Sequence, residues 1–207
     1  MPWKIKVLAL LSVGVSAYAV LAYAFLPPGN FVHPNMQVTF QQHPFAIYTH
    51  VFASAVALLL GPFQFIERLR RASAGLHRAG GRVYLLMIVL GGMSGLQLAR
   101  FAQGGLPGRL GFAVLALAWL YSGYRAFSAI RQRHVVEHRL WMVRNFALTF
   151  AAVTLRLQLG MAGALGIPFE WAYPLVSWLC WVPNLCLVEL FGWGRGPAGG
   201  TMAIQAS

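Results

Sequence analysis

The densest group of polar residues able to do chemistry lies between His138 and Arg156 (HRLWMVRNFALTFAAVTLR), inside an otherwise apolar run. At 3.6 residues per turn, His138, Asn145, Thr149 and Arg156 fall within about 20° of one line. Eighteen residues at ~1.5 Å rise make that stripe roughly 27 Å long, close to the ~30 Å hydrocarbon thickness of a bilayer. An arginine and a histidine at such depth are costly unless they face protein or water, so the stripe reads as an inward, functional face.

Two further faces have the same character. From His77, helical spacing places Gly81, Tyr84, Gly91 and Gly95 within about 40° of one line. Gly91 and Gly95 form a GxxxG pair, which serves close helix packing or admits a flat cofactor. From His50, the same period collects Ser54, Ala57, Gly61 and Gln64. His77 and His138 each stand at the start of an apolar segment at one depth. That arrangement suits two axial imidazoles on a haem b iron, with Arg78 and Arg82 near enough to serve propionates. Interfacial histidines bonded to water or lipid phosphate are the alternative. Arg156 has no acid on its segment, so backbone carbonyls, the neutral ring of His50, an anion or a quinone carbonyl must satisfy it. Snorkelling to the headgroups is the competing reading.

Other histidines carry less. His134 to His138 reads HVVEH, the zinc-peptidase spacing HxxEH, but no third ligand for a catalytic zinc is apparent. His33 and His43 sit beside prolines (VHPN, QHPF), which predicts a solvated connection, with surface metal ligation as the other role.

The elements that must position these residues follow from composition. With 58% hydrophobic and 10% charged residues in 207, the chain lies outside the range of soluble domains. The expectation is an all-α, polytopic membrane helix bundle. Apolar segments at about 5–25, 46–66, 80–99, 110–130, 140–160 and 171–191 predict six spanning helices. Net charge of +12 would suggest nucleic acid in a soluble protein, but here it follows topology, and no nucleic-acid partner is expected. Lys4 and Lys6, then Arg68, Arg70, Arg71, Arg78 and Arg82, then Arg125, Arg131, Arg133, Arg139 and Arg144 occupy alternate connections. The intervening ones hold only Arg100, Arg109 and Glu170 as charged residues. Both termini are therefore expected in the cytoplasm. The first run ends in SAYAVLAYA, small residues of the kind found at signal-peptide cleavage sites, and is counted as a retained helix. Cys180 and Cys186, on different faces of one segment, are expected as free thiols. Residues 1–192 are expected to form a single membrane domain, with a core at about 46–160 and a loose tail at 193–207.

The motifs H…GPFQF (His50, Gly61 to Gln64), HRAGGRVY (His77 to Tyr84) and the segment His138 to Arg156 resemble a family of predicted bacterial multi-pass membrane proteins of unknown function, the domain-of-unknown-function family numbered twenty-three hundred and six. The resemblance covers about half the chain. It implies a bacterial cytoplasmic membrane location and that the residues chosen by geometry belong to family motifs. A fainter likeness is to transmembrane b-type cytochromes, in which histidines on consecutive helices hold two haems; only the His77 and His138 pair is similar, since no histidine on the fourth segment meets His50.

The leading expectation is thus electron transfer through haem b at His77 and His138, linked to a quinone near His50 and Arg156, with Tyr84 and Asn145 between them. A second is an accessory or scaffold subunit docking on a larger membrane complex or on further copies of itself. A third is a small-anion transporter along the stripe, although no inverted repeat supports it.

Overall fold

The computed structural model describes residues 3–26, 29–30 and 32–192, apart from the side chain of Lys4; the expected tail at 193–207 lies outside the described residues. Those residues form helices and connections with no strand. The helices are α1 (Trp3–Phe25), α2 (Pro34–Gln42), α3 (Pro44–Gln64), α4 (Glu67–Ala72), α5 (Ala74–Ala99), α6 (Gly105–Arg131), α7 (Val135–Thr149), α8 (Ala151–Ala164), α9 (Phe169–Leu179) and α10 (Val182–Leu190). Six stretches are long and apolar enough to cross a bilayer: α1, α3, α5, α6, α7 with α8, and α9 with α10.

Local chemistry sets the boundaries. Ser73 caps α5, its Oγ accepting from the Leu76 amide at 3.3 Å, and starts the helix six residues earlier than hydropathy alone places it. Pro34 and Pro44 occupy first-turn positions of α2 and α3, where a missing amide hydrogen costs nothing. Gly104 and Gly105, at φ 80° and 65°, make the turn into α6 that a side chain would strain. On α4, Glu67 pairs with Arg71 at 2.6 Å, and that guanidinium holds its carboxyl below the usual carboxylate range.

Two expected single helices are interrupted. The stripe-bearing span tightens at Phe150, where the Val153 amide bonds the Phe150 carbonyl at 2.9 Å. Thr149 Oγ1 donates to Asn145 O at 2.9 Å, the back-bonding that bends a helix. The last span breaks after α9, because Pro183 in the first turn of α10 cannot continue the amide ladder. Thr154 Oγ1 donates to the Cys180 carbonyl at that break, and Asn184 Nδ2 donates to the same carbonyl at 3.0 Å.

The bundle winds α1 against α3, α3 against α5, α5 against α6, and α6 against α7 and α9, while α8 touches both α9 and α1. On the side away from the arginines, this closes a ring of α1, α3, α5, α6, α9 and α8. Glycines let neighbouring helices approach closely: a methyl on Gly61 of α3 would collide with the Phe146 ring of α7, and one on Gly92 of α5 would sit 2.6 Å from Leu120 of α6. Outward faces carry exposed Leu10, Leu86, Val89, Leu117 and Leu175, as a lipid-facing surface requires.

Candidate functional site

The expected stripe resolves into three environments. At its centre Asn145 and Thr149 are buried and every side-chain polar group finds a partner. Tyr84 Oη donates to Asn145 Oδ1 at 2.7 Å and lies 2.9 Å from Thr149 Oγ1. Asn145 Nδ2 donates to Trp119 O and to Ser122 Oγ, both at 2.8 Å. Trp119 Nε1 donates to Thr149 Oγ1 at 2.9 Å. This knot ties α5, α6 and α7 together. Tyr84 and Asn145, expected beside a cofactor, are thus bonded to protein groups of three helices between the two ends of the stripe.

On the arginine-rich side stand His77 and His138, close enough for the charge of one to act on the other. His138 Nδ1 donates to Ala126 O at 2.8 Å, which fixes the tautomer and leaves Nε2 as the ring's lone-pair nitrogen. Arg78 and Arg82 are exposed on this rim. The glycine face of α5, which a flat cofactor would need open, is filled by protein. A methyl on Gly81 would meet only Gln64 Oε1, at 3.7 Å, but one on the neighbouring Gly80 would meet Gln64 Nε2 at 2.6 Å, one on Gly91 the Trp119 ring at 3.1 Å, and one on Gly95 the His50 ring at 3.0 Å. The GxxxG pair therefore serves packing, and in this conformation the face does not fit a porphyrin. Glu137 of the HVVEH run is bound to Arg125 at 2.8 Å and accepts from Trp141 Nε1 at 3.2 Å. No group of three or more metal-ligating side chains occurs among the described residues.

At the opposite end the ring of helices lines a half-open cavity of about 270 Å³. His50 and Arg156 both line it, as their shared depth in the sequence implied. His50 Nδ1 donates to Gly91 O at 2.8 Å, the imidazole lying in the notch that Gly95 leaves in α5. Ser54, one turn on, also lines the cavity, and its buried Oγ has no hydrogen-bond partner. Thr149 and Trp119 form the inner wall. Met36, Thr39 and Phe40 of α2, with Phe101, Ala102 and Gln103, cap the outer side.

Arg156 does not snorkel. Its Nη1 donates to Ala152 O at 2.7 Å, a turn deeper along α8, because helical side chains lean toward the helix N-terminus and that end of α8 lies in the middle of the bundle. Of the chain's four carboxylate side chains, Glu67, Glu137 and Glu189 pair with other arginines, and Glu170 forms no ion pair with Arg156. The guanidinium thus retains several donors for a guest. Tyr18 and Tyr23 are near enough to feel its charge.

His33 and His43 do not lie in an open connection. His33 stacks on Phe169 at 3.9 Å and His43 on Phe101 at 4.2 Å between ring centroids, which pins both ends of α2 over the cavity. Tyr23 and Trp119, which complete the cavity wall, were not legible as site residues, since a single aromatic in an apolar run looks the same at a lipid interface. Cys180 and Cys186 are free thiols, as expected.

No curated protein and no solved structure matches the chain significantly. A family described as "Predicted membrane protein (DUF2306)" matches it over residues 47–192, a stretch that takes in His50, the polar knot and Arg156. The chain belongs to this family of predicted membrane proteins.

Proposed function

We propose that this integral membrane protein holds a small lipophilic molecule with an oxygen-bearing head, of the quinone or acid class, in the cavity between α1, α3, α5, α6 and α8. The observation that carries the reading is the inward-turned guanidinium of Arg156 in a cavity with apolar walls. Apolar lining with a few convergent polar groups is the usual form of a small-molecule site, and about 270 Å³ falls just below its ~300–1,000 Å³ range, so the guest is small. A single ring or a single chain fits that space. Protein purified in mild neutral detergent and extracted with organic solvent is expected to release about one such molecule per chain, and Arg156→Gln protein to release far less. Identical extracts from both, composed only of bulk membrane lipids, would defeat the reading.

Haem b between His77 and His138 is the second reading. It is favoured by the bond from His138 Nδ1 to a backbone carbonyl, which is how metal-ligating histidines are commonly oriented. It requires Gln64 to leave its position against Gly80. A Soret band that shifts with dithionite and disappears in His77→Ala and His138→Ala proteins would support it. Colourless protein from haem-replete cells would rule it out.

A further inference from the structure

We infer that the head group held in this cavity is an anion, a carboxylate on a single apolar chain, in place of a neutral carbonyl. The inference rests on the ligand-binding reading above and narrows it. Three observations converge. Arg156 is permanently charged and turned inward, and its only hydrogen bond among the described residues goes to a backbone carbonyl. Among the described residues no carboxylate lies within ion-pair distance of it, three of the four glutamates being committed to other arginines. Ser54 offers a buried hydroxyl to the same cavity with no acceptor of its own. A neutral quinone would accept a hydrogen bond from Arg156 and leave its charge uncompensated at this depth. An anionic oxygen satisfies both the charge and the forked donors, and such charge-assisted bonds are shorter and about twice as strong as neutral ones. The remaining walls, among them Val15, Leu58, Leu115 and Leu155, suit an alkyl chain. The cavity volume admits one chain and not a whole diacyl lipid.

The test compares dodecanoate with its methyl ester and with dodecyl phosphate on the purified full-length protein in neutral detergent. Each competes against a diazirine-bearing fatty acid that is photo-crosslinked and mapped by peptide mass spectrometry. The acid is expected to compete at least tenfold better than the ester for label placed in the cavity. The preference should vanish in Arg156→Gln and persist in Arg156→Lys, with melting temperatures confirming that both variants fold. Dodecyl phosphate competing better than dodecanoate would still assign an anionic head, with phosphate chemistry in place of carboxylate. Equal competition by acid and ester overturns the anion while leaving an amphiphile site standing. Absence of any label in the cavity overturns the fatty-acid guest, and the solvent extraction described above then decides separately whether a neutral guest is held there. The acid-to-ester comparison needs no variant, so a misfolded Arg156→Gln protein does not block it.

Discussion

Tyr84→Phe isolates one strand of the buried knot. Tyr84 and Asn145 are both fully buried, and the phenol is the donor to Asn145 Oδ1 at 2.7 Å. Removing it does not orphan Thr149, whose Oγ1 keeps Trp119 Nε1 and Asn145 O; it orphans the Asn145 carbonyl oxygen. A buried unsatisfied acceptor costs about 1–3 kcal/mol in water-soluble proteins, whereas side-chain hydrogen bonds in membrane proteins average ~0.6 and reach ~1.7 kcal/mol. The expected loss for Tyr84→Phe is therefore about 1–2 kcal/mol. Asn145→Ala also removes the bonds to Trp119 O and Ser122 Oγ and opens a small void, so its expected loss is about 2–4 kcal/mol. Because the phenol then has no amide to bond, the two losses should not add. A double-mutant cycle, read by unfolding titration in mixed micelles, is expected to give a coupling of about 1 kcal/mol. Additivity within about 0.3 kcal/mol would show that the knot does not act as a unit, and the separation of the stripe into two ends would lose its basis.

Other outcomes follow from single contacts. Gly95→Val must displace the His50 ring from its notch and should cost about 1–3 kcal/mol, with most of the penalty relieved in a His50→Ala background; an unchanged penalty there would mean that the imidazole does not occupy the notch. Gly61→Leu should be among the most destabilising changes in α3, since the Phe146 ring stands where its side chain would go; native-like expression and melting temperature would contradict the α3 to α7 packing. In folded, detergent-solubilised protein, a maleimide should label exposed Cys186 and leave buried Cys180 unmodified until denaturant is added.

The 3.6-residue period placed Tyr84, Asn145, Thr149, His50 and Arg156 on inward faces correctly, because a polar side chain in a long apolar helix has few other places to go. It was silent about partners. Whether a glycine face admits a cofactor or a side chain depends on the neighbouring helix, and only packing shows Gln64, Trp119 and His50 filling the notches at Gly80, Gly91 and Gly95. The inward direction of Arg156 was available from the N-terminal lean of helical side chains, yet depth alone left it ambiguous with snorkelling. The short α2 escaped because nine residues of mixed polarity between two prolines carry no spanning signal, although Pro34 and Pro44 mark helix starts. The break between α9 and α10 was foreshadowed by Pro183.

The central claim is that the cavity beside His50 and Arg156 holds a guest through its oxygen head. Photo-crosslinking membranes that contain the protein with a diazirine-tailed fatty acid, followed by peptide mapping, tests it most directly. Label concentrated on inward residues such as Val15, Val51 and Leu155, and depleted there in Arg156→Gln protein, is the predicted result. Label confined to outward residues such as Leu10, Leu86 and Leu175, unchanged by the substitution, would contradict the account.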